Sequence, residues 1–290
     1  MACPICKNTN INNFFSLKDY EYNINSITEY SICKLCAIIY RNIDIKKEDE
    51  KLLYSKEIYK PVKGGLIYNY LKKINAYYEK YNILKYLSKD NPYKIKTILD
   101  IACGKGYLLE EFAKNKNNAC FGIDINAKNE KSNIEFINSS YKNLNIIQNI
   151  NADTIIINNF IEHIEDLKNL YKILDIMKKN SNMVIITPDT DSKARKFFGN
   201  CWSGYHAPRH KILFNKNNIL KVFTDIKDID IQIYKLYDPF TNIISLSNLT
   251  KELNNKFSLK VLLKLIIAPI LLFIDIINKN RILVIITKSK

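Results

Sequence analysis

The sequence predicts an α/β fold with a doubly wound, mostly parallel sheet, preceded by a small N-terminal cysteine module. From Lys94 onward, short apolar runs rich in β-branched residues alternate with segments of helical spacing. Strands that are buried on both faces have such continuous apolar runs, and their alternation with helices is typical of a parallel sheet. Before Arg41 the chain instead carries two C-x2-C pairs and short β-like pieces such as EYSI.

The predicted elements follow one another along the chain. Between Ile43 and Asp90 the sequence is polar and rich in tyrosine, and LIYNYLKKINAYYEKYNILKYL has the spacing of one long amphipathic helix. We interpret its tyrosine stripe as core packing. The strands that follow are KTILDI, ACFGIDI, IEFI, DTIIINN and NMVIIT, the helices are YLLEEFAKN and LKNLYKILDIMKKN, and RILVIITKSK is a final strand.

Composition limits the classes of function. The chain is 47% hydrophobic and 25% charged, which is typical of a globular protein with one domain and a small appendage. A net charge of +15 suggests nucleic-acid binding. Because the lysines are spread over the chain and several lie at predicted turns, we interpret this charge as a solvated surface. Seven cysteines, and no basic or apolar leader after Met1, predict a reducing, cytoplasmic location.

The four N-terminal cysteines have the spacing of a metal site. Cys3 and Cys6 form one C-x2-C pair, and Cys33 and Cys36 form another. Each pair places two thiolates on one tight turn, and two such turns complete the tetrahedral sulfur site that zinc prefers. A site closed by four thiolates is structural, so we predict a zinc-ribbon-like module over residues 1–42.

The C-terminal segment 259–277 is strongly apolar. Its uninterrupted part, from Leu265 to Ile274, contains Pro269 and is shorter than the roughly 20 apolar residues of a membrane span. We predict a buried or cap helix. An interfacial helix on the inner face of the membrane stays open as the alternative.

A glycine turn follows the first strand of the α/β region. Gly104 and Gly106 supply G-x-G, but Leu109 occupies the place of the third glycine of a dinucleotide fingerprint, which weakens an NAD or FAD interpretation. Asp100, at the strand end, would repel pyrophosphate and suits a ligand with an ammonium group. Asp124, at the end of the second strand, is placed to accept hydrogen bonds from ribose hydroxyls.

The segment ILDIACGKGYLLEEFA followed by FGIDIN resembles the class I S-adenosylmethionine-dependent methyltransferases. The resemblance implies a seven-stranded Rossmann-like sheet in the methyltransferase domain, which we predict over residues 93–290. Outside the resemblance, the residue pattern predicts a helical linker or cap over 43–92 and an apolar helical insertion at about 240–280. The resemblance also implies the cofactor residues. The residues implied for the methionine moiety are Asp100, Ala102, Cys103, Gly104 and Gly106, and the residue implied for the ribose is Asp124. Asn138 and Ser139, after the third strand, are implied to bind the adenine edge, and Asn158 and Phe160, at the end of the fourth strand, to lie beside the sulfonium.

Two later segments extend the resemblance. ADTIIINNFIEHIEDLKNLYKIL resembles the family's fourth-strand region, and ITPDTDSKARKFFGNCWSGYHAPRHKILFNKNNI resembles a bacterial subgroup tied to surface-sugar and small-molecule methylation. This implies a sugar, nucleotide-sugar or other small acceptor. Two departures are the short segment between Asp124 and the third strand, which leaves little room for the usual second helix, and a fourth strand ending in two asparagines, which weakens a metal site at Glu162 and His163.

Three histidines fall in loops after the fourth and fifth predicted strands: His163, His206 and His210. Methyl transfer depends on positioning, and an alcohol acceptor gains from a general base such as histidine. We predict His163 or His206 as the base and His210 as a residue that orients the loop. Arg209 is predicted to clamp an acceptor carboxylate or phosphate, and Trp202 and Tyr205 to wall the acceptor site.

Two other functions stay open. A zinc-ribbon protein that binds nucleic acid, or methylates RNA, would use the positive charge, but the N-terminal segment lacks clustered basic residues interleaved with aromatics. A non-catalytic relative that serves as an assembly partner is the other, and the glycine turn with Asp124 argues against it.

Overall fold

A computed structural model describes residues 2–21, 27–42, 53, 66–90, 95–127, 133–164, 166–255, 258–271 and 279–289. The chain divides into two compact units that are discontinuous in sequence. The first unit contains Met1–Lys63, Pro188–Thr224 and Lys235–Ile282, and the second contains Gly64–Thr187, Asp225–Tyr234 and Leu283–Lys290. The units interleave along the chain, whereas the sequence predicts consecutive domains with boundaries after residues 42 and 92, and those boundaries stay a prediction.

The strands and helices are numbered here in chain order. The strands are β1 Ile11–Lys18, β2 Ile27–Cys33, β3 Ile39–Arg41, β4 Thr97–Ile101, β5 Ala119–Asp124, β6 Glu135–Asn138, β7 Thr154–Asn158, β8 Asn182–Pro188, β9 Ile212–Leu213, β10 Ile229–Leu236 and β11 Arg281–Lys288. The helices are α1 Leu66–Asp90, α2 Tyr107–Ala113, α3 Leu144–Ile150, α4 Lys168–Ile176, α5 Lys193–Phe198, α6 Lys216–Leu220, α7 Pro239–Asn255 and α8 Leu259–Leu271. A short 3-10 turn, Ile161–His163, follows β7.

A seven-stranded sheet has the order β10-β11-β8-β7-β4-β5-β6. The pairs β4–β5, β4–β7, β5–β6 and β7–β8 are parallel. Ile101 lies opposite both Ile123 and Ile157, so the carboxyl ends of β4, β5 and β7 reach one edge of the sheet. The predicted fold class is confirmed, because apolar runs such as the fully buried β8 require cover on both faces.

Several elements differ from the sequence prediction. Helix α2 ends at Ala113 and α4 at Ile176, before the polar residues that the periodic pattern included. Helix α3 and strand β10 were not predicted at all. Most of the segment in which the second helix is expected to be short or absent, 128–132, lies outside the described residues.

Helix α1 buries a different face from the predicted one. Ala76, Glu79, Ile83 and Leu87 are buried at three- and four-residue spacing. Tyrosines such as Tyr77 are exposed instead, so the interpretation of the tyrosine stripe as core packing is wrong. The small and branched side chains fix the phase of the helix, and Tyr70, Tyr77 and Tyr81 fall on its outer side. One acidic residue, Glu79, consequently lies on the buried face.

The first unit contains an antiparallel sheet in the order β1-β2-β3-β9. Residues from β9, far along the chain, thus complete a sheet begun by the N-terminal cysteine segment. The core of this unit includes Tyr30 and Trp202, and Trp202 is 1% exposed. The predicted role of Trp202 as a wall that stacks on an acceptor sugar is therefore wrong, because its ring packs inside the core.

Helix α8 covers the described part of the predicted apolar segment, whose residues 272–277 lie outside the described chain. Leu259, Leu263, Ile266 and Ile270 are exposed, which contradicts a fully buried helix. Among the residues that the structure describes, no helix has the length and apolarity needed to cross a membrane.

Candidate functional site

The glycine turn connects β4 to α2 in the second unit. The amides of Ala102 and Cys103 donate to the carbonyl of Ile123, at 2.7 and 3.2 Å, which ties the turn to β5. Gly104 has φ +53°, a conformation that favours glycine, and a Cβ there would meet nothing within 4 Å. At Gly106, a Cβ would lie 2.7 Å from the ring of Phe136. Gly106 is thus required for packing inside the protein, whereas Gly104 borders open space.

Asp124 organises the same turn from the end of β5. Its Oδ2 accepts the amide of Gly104 at 3.0 Å, and its Oδ1 accepts the amide of Asn126 at 2.8 Å. A carboxylate oxygen can accept more than one hydrogen bond. Asp124 is therefore fixed in orientation with remaining capacity to accept ligand hydroxyls.

Asp100 is a buried carboxyl group near the end of β4. It is 4% exposed, and its Oδ1 has no hydrogen-bond partner among the described residues. Burial raises the pKa of the Asp100 carboxyl well above its usual range, and the carboxylates of Glu79 and Asp124 raise this pKa further. A cationic ligand group would relieve both the burial cost and the repulsion.

Glu79 reaches this edge from α1 and is the residue that the sequence prediction missed. Its Oε2 accepts from Nδ2 of Asn158 at 2.8 Å, so it contacts a predicted cofactor residue at the end of β7. Its only signal in the sequence is an acidic residue at the same helical spacing as Ala76, Ile83 and Leu87, and that spacing does not show which face of the helix is buried.

The segment after β7 holds an aromatic cluster and a histidine. Phe160 packs edge-on against Tyr141, with ring centroids 5.1 Å apart, and lies 6.4 Å from the ring of His163. Glu162 is fully buried and accepts a hydrogen bond from Oγ1 of Thr187 at 2.9 Å. This bond fixes the turn that presents the half-buried His163.

The remaining predicted cofactor residues lie at the end of β6. Asn138 is exposed at the last position of the strand, and the amide of Ser139 donates to the carbonyl of Asp124 at 3.3 Å. The ends of β4, β5, β6 and β7 thus carry the predicted cofactor residues at one sheet edge.

The other predicted catalytic residues belong to the first unit. Nε2 of His206 lies 3.3 Å from Oε2 of Glu21. Burial acts to raise the pKa of Glu21, but the charge of His206 and its hydrogen bond lower it below the usual range. Nδ1 of His210 donates to the carbonyl of Gly204 at 3.0 Å, and the role of His210 in orienting the loop stays a prediction.

Arg209 has an internal partner. Its Nη2 lies 3.1 Å from Oδ2 of Asp19, and both side chains are almost fully buried. A buried guanidinium paired in this way holds the HAPRH loop against the N-terminal segment of the same unit. Its predicted role in clamping an acceptor stays a prediction.

The four N-terminal cysteines converge. The Sγ–Sγ distances are 3.6 Å for Cys3–Cys36, 3.4 Å for Cys6–Cys33 and 3.7 Å for Cys6–Cys36. Burial raises the pKa of the Cys3 thiol to about 11, against the lowering effect of the backbone amides of Cys6 and Ile5. Burial also acts on Cys33, but the amides of Cys36 and Leu35 lower its pKa to about 7.

The two cysteine turns have the same backbone pattern. The backbone amide of Lys7 donates to the carbonyl of Cys3 at 3.0 Å, and the backbone amide of Ala37 donates to the carbonyl of Cys33 at 2.9 Å. Lys7 and Ala37 both have positive φ, at 58° and 56°. Each C-x2-C pair thus lies on a tight turn, and the two turns bring the four sulfurs together.

Comparisons with known proteins agree with this fold. A family model described as a methyltransferase domain matches residues 70–226, more than half of the chain. No curated protein matches the sequence of this chain. The fold is similar to that of the plantazolicin methyltransferase BpumL in complex with SAH, at 18% identity and a TM-score of 0.52, over 84% of this chain and 98% of that chain. It is also similar to BamL, a plantazolicin methyltransferase in complex with a triazolic desmethylPZN analog and SAH, at 15% identity and a TM-score of 0.51, over 84% of this chain and 92% of that chain.

Proposed function

The chain belongs to the methyltransferase-domain family and is an S-adenosylmethionine-dependent methyltransferase, and we propose that it methylates a hydroxyl group of a small acceptor. The proposed acceptor is a sugar or nucleotide-sugar used in the synthesis of a surface polysaccharide or a related compound. The observation that carries this proposal is His163, which follows β7 at the sheet edge that holds buried Asp100. A hydroxyl nucleophile gains from a base of this type.

The residues of the sheet edge fit the cofactor. The buried Oδ1 of Asp100, which has no hydrogen-bond partner among the described residues, suits the ammonium group, and Asp124 has acceptor capacity for the ribose hydroxyls. Gly104 leaves open space on its Cβ side. When bound, the cofactor supplies an electrophilic methyl group. Asn158 and Phe160 are proposed to line the sulfonium side, and Asn138 and Ser139 the adenine side.

His163 is the proposed base because neighbouring side chains hold its turn in place. The bond from Thr187 to Glu162 holds the turn, and the ring of Phe160 lies beside the imidazole. His206, which is paired with Glu21, is the alternative base. Arg209 and His210 are proposed to support the acceptor loop.

The proposal is tested by binding and by transfer. Isothermal titration of the full chain with S-adenosylmethionine is expected to give one site, and labelled methyl is expected on nucleotide-sugars and not on RNA. Absence of cofactor binding would contradict the methyltransferase assignment. Label on RNA, or on acceptor amines alone, would contradict the hydroxyl acceptor.

The choice of base is tested with two matched variants. His163→Gln is expected to lower kcat by about 100-fold or more with little change in cofactor Kd, as for loss of a general base. His206→Gln is expected to change kcat by less than about tenfold. The opposite ranking would assign the base to His206.

We also propose that the cysteine cluster holds a structural zinc ion. A tetrahedral site with Zn–S bonds of about 2.3 Å requires sulfurs roughly 3.8 Å apart. The distances of 3.4 to 3.7 Å among Cys3, Cys6, Cys33 and Cys36 support this geometry. Four thiolates leave no open position, so the ion would stabilise the fold of the first unit.

Peripheral contact of α8 with an anionic lipid surface is a further part of the proposal. The helix sequence LKVLLKLIIAPIL carries two lysines and no acidic residue, and Leu263, Ile266 and Ile270 are exposed. Exposed apolar side chains together with positive charge are typical of interfacial helices. The full chain is expected to sediment with vesicles that contain phosphatidylserine, and the Ile266→Glu variant is expected not to sediment with them. Equal sedimentation with neutral vesicles or of this variant would contradict the proposal.

A further inference from the structure

We propose that Glu79 is a cofactor-selecting residue that, together with Asp100, favours the cationic sulfonium cofactor over its neutral thioether product. This inference rests on the proposed placement of the cofactor at the carboxyl ends of β4, β5 and β7. It assigns to α1 a role in binding that the glycine turn does not supply.

Glu79 is built into the helix as a carboxylate. It is 4% exposed, its Oε1 accepts from Nδ2 of Asn75 at 2.9 Å, and its Oε2 accepts from Nδ2 of Asn158 at 2.8 Å. Each oxygen therefore receives an amide donor, and both oxygens of a carboxylate can accept such a bond. The two amides also fix the plane of the carboxylate relative to the end of β7.

A second observation points to a ligand at this place. Asp100 is also nine-tenths or more buried, and its Oδ1 has no hydrogen-bond partner among the described residues. Asp100 lies opposite Ile156 of β7, two residues before the Asn158 that Glu79 contacts, so both carboxyl groups lie near the end of β7. The charge of Glu79 also raises the pKa of Asp100. Two buried carboxylates in proximity are costly unless a cation joins them.

The cofactor and its product differ by one such cation. S-adenosylmethionine carries an ammonium and a sulfonium, whereas S-adenosylhomocysteine carries only the ammonium. One carboxylate is enough for the ammonium common to both. The second carboxylate, Glu79, therefore adds attraction for the sulfonium form, and after methyl transfer its uncompensated charge promotes exchange of the product.

The test compares the Kd of the full chain for S-adenosylmethionine and for S-adenosylhomocysteine by isothermal titration. Glu79→Gln is expected to weaken binding of the sulfonium cofactor by about tenfold, and binding of the thioether by no more than about twofold. Glu79→Asp, which keeps the charge, is expected to retain most of the discrimination. Glu111→Gln is the matched control, since Glu111 is equally buried but paired with Lys114 on α2.

The outcomes separate the inference from the proposed function. If the wild-type chain binds neither ligand, the proposed function fails. If the wild-type chain binds both ligands and Glu79→Gln leaves the ratio of the two Kd values unchanged, Glu79 does not select the cofactor. A ratio that falls equally in Glu111→Gln would also overturn the inference, because a general loss of charge would then explain it. Melting curves confirm that each variant is folded.

Discussion

At the scale of the residue, the cost of burying Asp100 dominates the cofactor edge. A buried carboxyl whose pKa is raised is stable when protonated and unstable when ionised. Burial, Glu79 and Asp124 each raise this pKa, so an ionised Asp100 is unfavourable in the protein without a ligand. A cation bound there would offset this cost, so the proposed cofactor site would favour a positively charged ligand.

The raised pKa of Asp100 predicts a pH dependence with a definite sign. The contribution of the Asp100 carboxyl to the free energy of unfolding is fully present below its ordinary pKa of about 3.8, and it is lost as the pH rises towards the raised pKa. Without cofactor, the free energy of unfolding of the wild type should fall relative to that of Asp100→Asn by up to about 1.4 kcal/mol per pH unit in that window. Urea unfolding at a series of pH values measures the difference. Parallel pH curves for the two proteins would contradict the prediction.

One of the cysteine turns contains a strained backbone position, Ala37, whose φ is 56°. A left-handed conformation costs a residue with a Cβ about 1–2 kcal/mol, and glycine avoids this cost but loses more entropy on folding. Ala37→Gly is expected to raise the free energy of unfolding by about 0.5–1 kcal/mol. Ala119→Gly, at an exposed position of β5, should lower it. Thermal unfolding of both variants checks the prediction, and a loss of stability in Ala37→Gly would refute it.

At the scale of the element, the parallel strands could be predicted because burial on both faces leaves a plain apolar run, as in MVIIT of β8. The long helix could also be predicted, but its orientation could not. Spacing identifies a periodic face, yet tyrosines and aliphatic residues alternate on both sides of α1. Only the packed structure shows that Ile83 and Glu79 lie on the buried face, and that Glu79 contacts Asn158 at the end of β7.

The orientation of α1 predicts opposite effects for two large side chains. Ile83 is fully buried, so Ile83→Ala is expected to cost about 2–4 kcal/mol through lost burial and a cavity. Tyr81 is 56% exposed, so Tyr81→Ala is expected to cost less than about 0.5 kcal/mol. Equilibrium unfolding in urea measures both values. Similar costs for the two variants would restore the tyrosine stripe as part of the core.

At the scale of the whole molecule, the sequence predicts the cofactor edge better than the organisation of the units. Asp100, the glycine turn and Asp124 lie near one another in the chain, and parallel register brings the strand ends together. The pairing of β3 with β9 joins segments far apart in sequence, and short strands carry too little pattern to identify a distant partner. For the same reason, the packing of Trp202 and the Arg209–Asp19 pair could not be predicted.

The link between β3 and β9 makes metal removal a test of the first unit as a whole. Cys33 ends β2, which pairs with both β1 and β3, so the cysteine cluster is continuous with the sheet that β9 completes. The purified chain is expected to contain one zinc ion by elemental analysis, and chelation is expected to lower its Tm because metal binding contributes folding energy. Cys33→Ser should lose the ion, whereas Cys201→Ser, at a buried thiol outside the cluster, should retain it. A wild-type chain without metal, or an unchanged zinc content in Cys33→Ser, would show that the four thiols pack without an ion.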